Sequence, residues 1–109
     1  VVIFIEGGQK MFLEAVKIMK RASITKLPIK VRRVNLNGFD GLCEKKKTYF
    51  LIKINKNLTE NHSIDVLIHE IAHVDAWGKG DIHGKEWGVS YSRLYQIWET
   101  HIDGLFRKC

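Results

Sequence analysis

Two cysteines, one proline and no long apolar run are what this 109-residue sequence has least of. Cys43 and Cys109 are too few and too far apart for a disulfide framework or a thiolate metal site, which fits a reducing compartment. Any metal therefore has to be held by His and carboxylate. No stretch approaches the roughly 18 to 20 apolar residues that a membrane span needs. The opening VVIFI is too short for a signal peptide and has no basic residues before it. A soluble, intracellular chain with no membrane partner is the expectation. Acidic residues are scarce in one half only. Residues 1–56 hold 13 Lys or Arg against four Asp or Glu, and residues 57–109 hold five against eight. The basic half favours polyanions such as DNA, although a solvated basic face would look the same.

What is present is enough apolar residue, 45% of the chain with three Trp, five Phe and three Tyr, to build one core and not two. A single domain over residues 1–109 is expected. Val1–Ile5 reads as a strand or an extended lead-in closed by Gly7 and Gly8. From Gln9 to Ala22, Phe12, Ala15, Val16, Met19 and Ala22 recur at spacings of three and four, the pattern of an amphipathic helix, and Lys20 and Arg21 suit its C-terminal dipole. Beyond Pro28, the stretch Ile29–Leu36 is β-branched and ends at Asn37-Gly38, a hairpin-type turn signal. Thr48–Asn55 is a second strand with apolar residues on both faces. These pieces predict an α+β fold with a small antiparallel sheet. Ser63 reads as the N-cap of a helix whose core stripe is Ile64, Leu67, Ile71 and Val74, ending before Gly78. Trp87, Tyr91, Leu94 and Trp98 form the stripe of a last helix and read as core.

Inside the helix that opens at Ser63 lies His69-Glu70-Ile71-Ala72-His73, the His-Glu-x-x-His spacing. Residues four apart share a helix face, so both imidazoles can address one cation, while Ile71 turns about 200° away toward the core at about 100° per residue. Glu70 is then set to reach a water beside the metal rather than the metal. A hydrolytic zinc site needs a third protein ligand and one open position. His83, after a loop containing Gly78 and Gly80, is the best candidate. Asp81 and Glu86 stand close enough in sequence to compete with it or to orient it. His62 and His101 read as solvated, and Asp75, about 200° from His73, as out of reach. Tyr91 or Tyr95 could stabilise an oxyanion. Lys45, Lys46 and Lys47 read as a solvated loop tip, and Cys43 as a small residue in a turn, not a nucleophile.

The segments Ile29–Val34, Gly41-Leu42-Cys43, Ile52–Asn55 with Leu58, Ile64–His73 and His83-Gly84-Lys85-Glu86-Trp87 together resemble the SprT-like metallopeptidases and the neighbouring YgjP-like zincins. The last segment resembles the family's His-Gly-x-x-aromatic signature, which supplies the third zinc histidine. The resemblance implies a minimal zincin-like domain, Zn2+ on His69, His73 and His83, Glu70 as general base, and a protein or peptide substrate laid along an edge strand, for which 48–55 is the candidate. It also implies a setting among DNA-associated proteins. Fold analogy does not fix substrate. The rival reading is a nucleic-acid-binding or protein-interaction module that keeps zinc as structure, and it gives Glu70 no task.

Overall fold

Residues 50–55 place an apolar side chain inward at every second position, and the helical segments on either side carry apolar stripes, so burial requires a sheet with one face covered by helices. The computed structural model describes residues 10–107 and has the order α1 (Lys10–Ala22), β1 (Ile29–Val34), β2 (Gly41–Lys45), β3 (Phe50–Asn55), α2 (Glu60–Asp75) and α3 (Lys85–Arg107). The lead-in expected over Val1–Ile5 lies outside the described residues. The fold is α+β, with three helices and a three-stranded sheet among the described residues.

The sheet corrects four expectations. Its order is β1-β3-β2, with β1 parallel to β3 from Ile29 opposite Phe50 to Val34 opposite Asn55. β2 is antiparallel to β3 from Gly41 opposite Ile54 to Lys45 opposite Phe50. The sheet is therefore mixed rather than antiparallel. The turn at Asn37-Gly38 does reverse the chain, with Gly38 at φ 80, but it overshoots by one strand and leaves room for β3. Asn55 fixes this overshoot. Its side-chain amide donates to the carbonyls of Leu36 (2.8 Å) and Phe39 (3.0 Å), and its backbone N–H donates to that of Asp40 (2.8 Å). The segment Gly41-Leu42-Cys43 is consequently an edge strand and not a turn, and the strand read over 48–55 is the centre of the sheet and not its edge. β3 is also one-sided: Phe50, Ile52 and Ile54 are buried, while Leu51, Lys53 and Asn55 are only half-buried.

The covered face meets Phe12, Ala15 and Met19 of α1 and Ile64, Leu67, Ile68 and Ile71 of α2, and Leu94 and Trp98 of α3 close the same core. Each such side chain contributes about 1.5–3 kcal/mol by leaving water. The N-cap of α2 is Thr59, whose hydroxyl accepts from the His62 N–H at 3.2 Å, not Ser63. Ser63 is fully buried in the first turn, where its hydroxyl accepts from Arg33 at 2.9 Å.

One carboxylate ties the three helices together at the far end of α2. Asp75, with a side chain 1% exposed, accepts from the Ser23 hydroxyl, from the Ile24 N–H at 3.1 Å and from Arg93 of α3 at 3.1 Å. Arg93 also donates to the carbonyl of Ala22 at the end of α1. Replacing Asp75 by Ala strands these donors, and urea unfolding should show a loss of about 3 kcal/mol. A loss below about 1 kcal/mol would mean that the clamp is dispensable.

Candidate metal centre

The α2 stripe that feeds the core leaves the opposite face to His69 and His73, as their spacing requires. His83 comes from the connection between α2 and α3, two residues before α3 begins. That connection leaves α2 through Ala76, whose N–H donates to the Ala72 carbonyl at 3.0 Å, and turns at Gly78 (φ 74) and Gly80 (φ 68). Both glycines have left-handed backbone that a side chain would strain. At Gly80 a Cβ would in addition stand 2.5 Å from the Glu86 carboxylate.

The three Nε2 atoms form a nearly equilateral triangle, with His69 to His73 at 3.2 Å, His73 to His83 at 3.1 Å and His83 to His69 at 3.2 Å. These separations are close to the roughly 3.3 Å expected between two imidazole nitrogens on one tetrahedral zinc. Hydrogen bonding among the rings cannot replace a cation here. Each Nε2 carries at most one proton, and a proton aimed into the triangle satisfies one neighbour at most. Burial lowers the pKa of His69 and, to about 4, that of His73, with the neighbouring histidines adding to the effect. Both of these helix histidines are therefore held neutral, the form that ligates metal. Among the described residues, His69, His73 and His83 are the group whose donor atoms converge so as to be able to hold a metal ion.

The other sequence candidates lie elsewhere. Asp81 and Glu86 are not part of the converging group. His62 sits 3.2 Å from Asp40 and His101 sits 3.3 Å from Glu14, each at an exposed or half-exposed surface pair. Asp75 faces away, into the helix clamp.

Glu70 is 6% exposed, and its carboxylate has no hydrogen bond among the described residues. Burial raises its pKa to about 7. The strand β2 comes close to it because residue 41 is glycine: a Cβ there would lie 2.5 Å from Val66 and 3.4 Å from the Glu70 carboxylate. Cys43 lies beside them in β2, and burial, helped by Glu70 and Glu44, pushes its thiol up to about 12, so it is no nucleophile at neutral pH.

Trp87 is the residue whose surroundings differ most from its sequence reading. Leu94 and Trp98 of the α3 stripe are fully within the core, and Trp87 and Tyr91 are half-buried against it and stacked on each other at 5.1 Å. The Trp87 ring lies 4.8 Å from that of His69, 5.6 Å from that of His73 and 4.9 Å from that of His83, and its indole N–H donates to the His69 carbonyl at 3.2 Å. It walls in all three imidazoles. The stripe periodicity puts Trp87 on the correct side of α3 but does not separate contact with the core from contact with the histidines. Gly41 is a site residue that sequence pattern does not reveal, its only signal being a glycine at the start of a strand.

Two cavities open on the site. The larger, about 820 Å3, is lined by the three histidines and Glu70 together with Gly41, Leu42 and Cys43 of β2 and the connection from Ala76 onward. The second, about 550 Å3, lies against His69 and Glu70 with Asp40, His62, Asp65 and Tyr91. Compared with protein-family models, curated proteins and solved structures, the chain matches none.

His83→Ala should lower the affinity for Zn2+ by more than about 100-fold in a chelator competition, beyond what a residue that only orients a ligand carries. Glu86→Gln and Asp81→Asn should leave it within about threefold. Metal content undiminished in His83→Ala would shift the third ligand to one of these carboxylates.

Proposed function

We propose that this chain is a zinc-dependent peptidase of the SprT-like kind, a minimal zincin-like domain in which His69, His73 and His83 hold the ion and Glu70 is the general base. The observation that carries the reading is a buried carboxylate without a hydrogen-bond partner among the described residues, on the wall of the same open cleft as three converging imidazoles. A module that kept metal only as structure has no use for such a group, whose charged form is disfavoured by burial in the cleft wall. Perturbed carboxyls in clefts are a mark of acid-base chemistry.

Held by His69, His73 and His83, a zinc ion would supply Lewis acidity toward a carbonyl oxygen and would acidify a water near neutral pH. Glu70 takes the proton as that water attacks the carbonyl carbon, and passes it to the leaving amine. The shape of its pocket keeps it in place: β2 passes close over it because Gly41 has no side chain. Trp87 packs against the imidazoles, edge-on to those of His69 and His83, and its bond to the His69 carbonyl holds the indole in that place. The two tyrosines separate here. The Tyr95 hydroxyl donates to Asp65 at 3.2 Å, whereas Tyr91 lines the cavity beside His69 and Glu70. Burial and the Asp65 charge raise the Tyr91 pKa, so its hydroxyl stays protonated and can donate to the developing oxyanion. An extended peptide finds its seat on β2, which among the described residues is hydrogen-bonded to β3 on one side only and lines the cavity with Gly41, Leu42 and Cys43.

The DNA partner rests on a different face. On the side of the sheet away from the helices, Arg32 of β1 stands directly opposite Lys53 of β3, with exposed Lys30 next in register. Like charges placed opposite each other destabilise a sheet, and the Lys53–Glu44 pair at 3.5 Å offsets only part of this. A phosphate backbone relieves the rest.

Zinc-loaded wild type should cleave an unfolded protein, and Glu70→Gln, with its zinc retained, should do so more slowly by about 1,000-fold. Tyr91→Phe should lower kcat by about 10- to 100-fold with KM little changed. Zinc bound to the wild type with no cleavage would favour the binding module. For the basic face, Arg32→Ala and Lys53→Ala should each weaken single-stranded DNA binding and reduce the slope of log affinity against log salt by about 0.7. An unchanged slope would move DNA off this face.

A further inference from the structure

Large apolar side chains left in water are informative when they gather at one place. Phe39, Trp77 and Ile82 are 60%, 44% and 76% exposed, they come from two different loops, and all three line the larger cavity beside the histidines. Ile82 immediately precedes His83 in the chain. Trp77 is buttressed, with its ring edge-on to that of buried Phe50 at 5.5 Å, and the loop behind it is set by Gly78 and Gly80. The loop that carries Phe39 is held by the Asn55 amide. This apolar wall is thus preformed from both sides. The cavity on the other side of Glu70 shares Phe39 but lacks Trp77 and Ile82, and has Asp40, His62, Asp65 and Tyr91 in its lining.

We propose that Phe39, Trp77 and Ile82 form a specificity pocket that takes one bulky apolar side chain, aromatic or branched aliphatic, from the residue adjacent to the scissile bond. The inference rests on the peptidase reading and names the substrate class of that same site. Adjacency rests on the shared cavity: Phe39, Trp77 and Ile82 line it together with the three histidines, so a side chain seated on them belongs to a residue next to the bond held at the three nitrogens. The contrast between the two cavities makes the selection one-sided. On the opposite side a bulky apolar group would meet Phe39 without Trp77 or Ile82 and would face Asp40 and Asp65, which a polar or basic one accommodates better.

The test uses two fluorescein-labelled peptides identical except for Leu or Ser at one central position, and the zinc-loaded Glu70→Gln protein, which binds without turnover. Anisotropy should give about 10- to 100-fold tighter binding of the Leu peptide, the range that burial of one such side chain supplies. Trp77→Ala combined with Ile82→Ser should cut the ratio to below about threefold, with zinc content and thermal unfolding unchanged, and Trp77→Phe should retain the preference. In parallel, mass-spectrometric mapping of the bonds that the zinc-loaded wild type cuts in an unfolded protein should show Leu, Ile, Phe or Tyr on one fixed side of the cut. Equal binding of the two peptides, or a preference that survives the double substitution, overturns the pocket. Cleavage without apolar preference removes the pocket and leaves the peptidase. Selective binding that needs Trp77 and Ile82, without any cleavage, keeps the pocket and removes the peptidase.

Discussion

Three imidazole nitrogens, mutually 3.1–3.2 Å apart, cannot satisfy one another. Protonating one ring to bond a second leaves the third facing a lone pair or a proton it cannot use, and burial opposes adding a second charge. The arrangement is stable only because rigid structure imposes it. His69 and His73 are fixed by helix geometry, His83 by a loop whose turns require glycine, and all three rings by the indole of Trp87. A divalent cation resolves this conflict directly, and so the fold and the proposed zinc site are one design problem rather than two.

The same helix has a second duty that constrains everything else. Ile64, Leu67, Ile68 and Ile71 must stay buried against β3 and α1, so α2 cannot rotate to relieve crowding on the histidine face. Asp75 locks its far end to α1 and α3, and Gly41 lets β2 press close on its middle. Among the described residues, the side of α2 left open is the one that carries His62, Asp65, His69 and His73, with Glu70 buried at its edge. The cleft is what remains after the packing of the helix is complete.

Periodicity makes α2, its core stripe and the two histidines on its free face legible in the sequence, because all of them depend on local geometry alone. His83 is reachable too, from the glycines that bend the chain back and from the resemblance to SprT-like sequences. What local pattern does not supply is strand order. The Asn37-Gly38 turn signals reversal, but whether β2 pairs with β1 or skips to the far side of β3 depends on the Asn55 amide, 18 residues further on from Asn37. The choice of Thr59 over Ser63 as N-cap is hidden for a similar reason, since Ser63 is claimed by Arg33 from another element. Trp87 reads as core because an amphipathic stripe says which side of a helix is covered and not by what. Phe39, Trp77 and Ile82 carry no periodic signal at all. They are loop residues, and only the assembled cavity gives them a common address.

The short connection between α2 and α3 holds Trp77, the two left-handed glycines, Ile82 and His83 within seven residues. One strip of backbone therefore sets the position of a ring nitrogen and the contour of the apolar wall together. Lengthening it by a residue would displace both, and exchanging it for another sequence would have to satisfy two unrelated demands at once. Diversification of such a chain is channelled elsewhere: into the loop over 35–40, which touches the cleft without contributing to the nitrogen triangle, and into the outward face of the sheet.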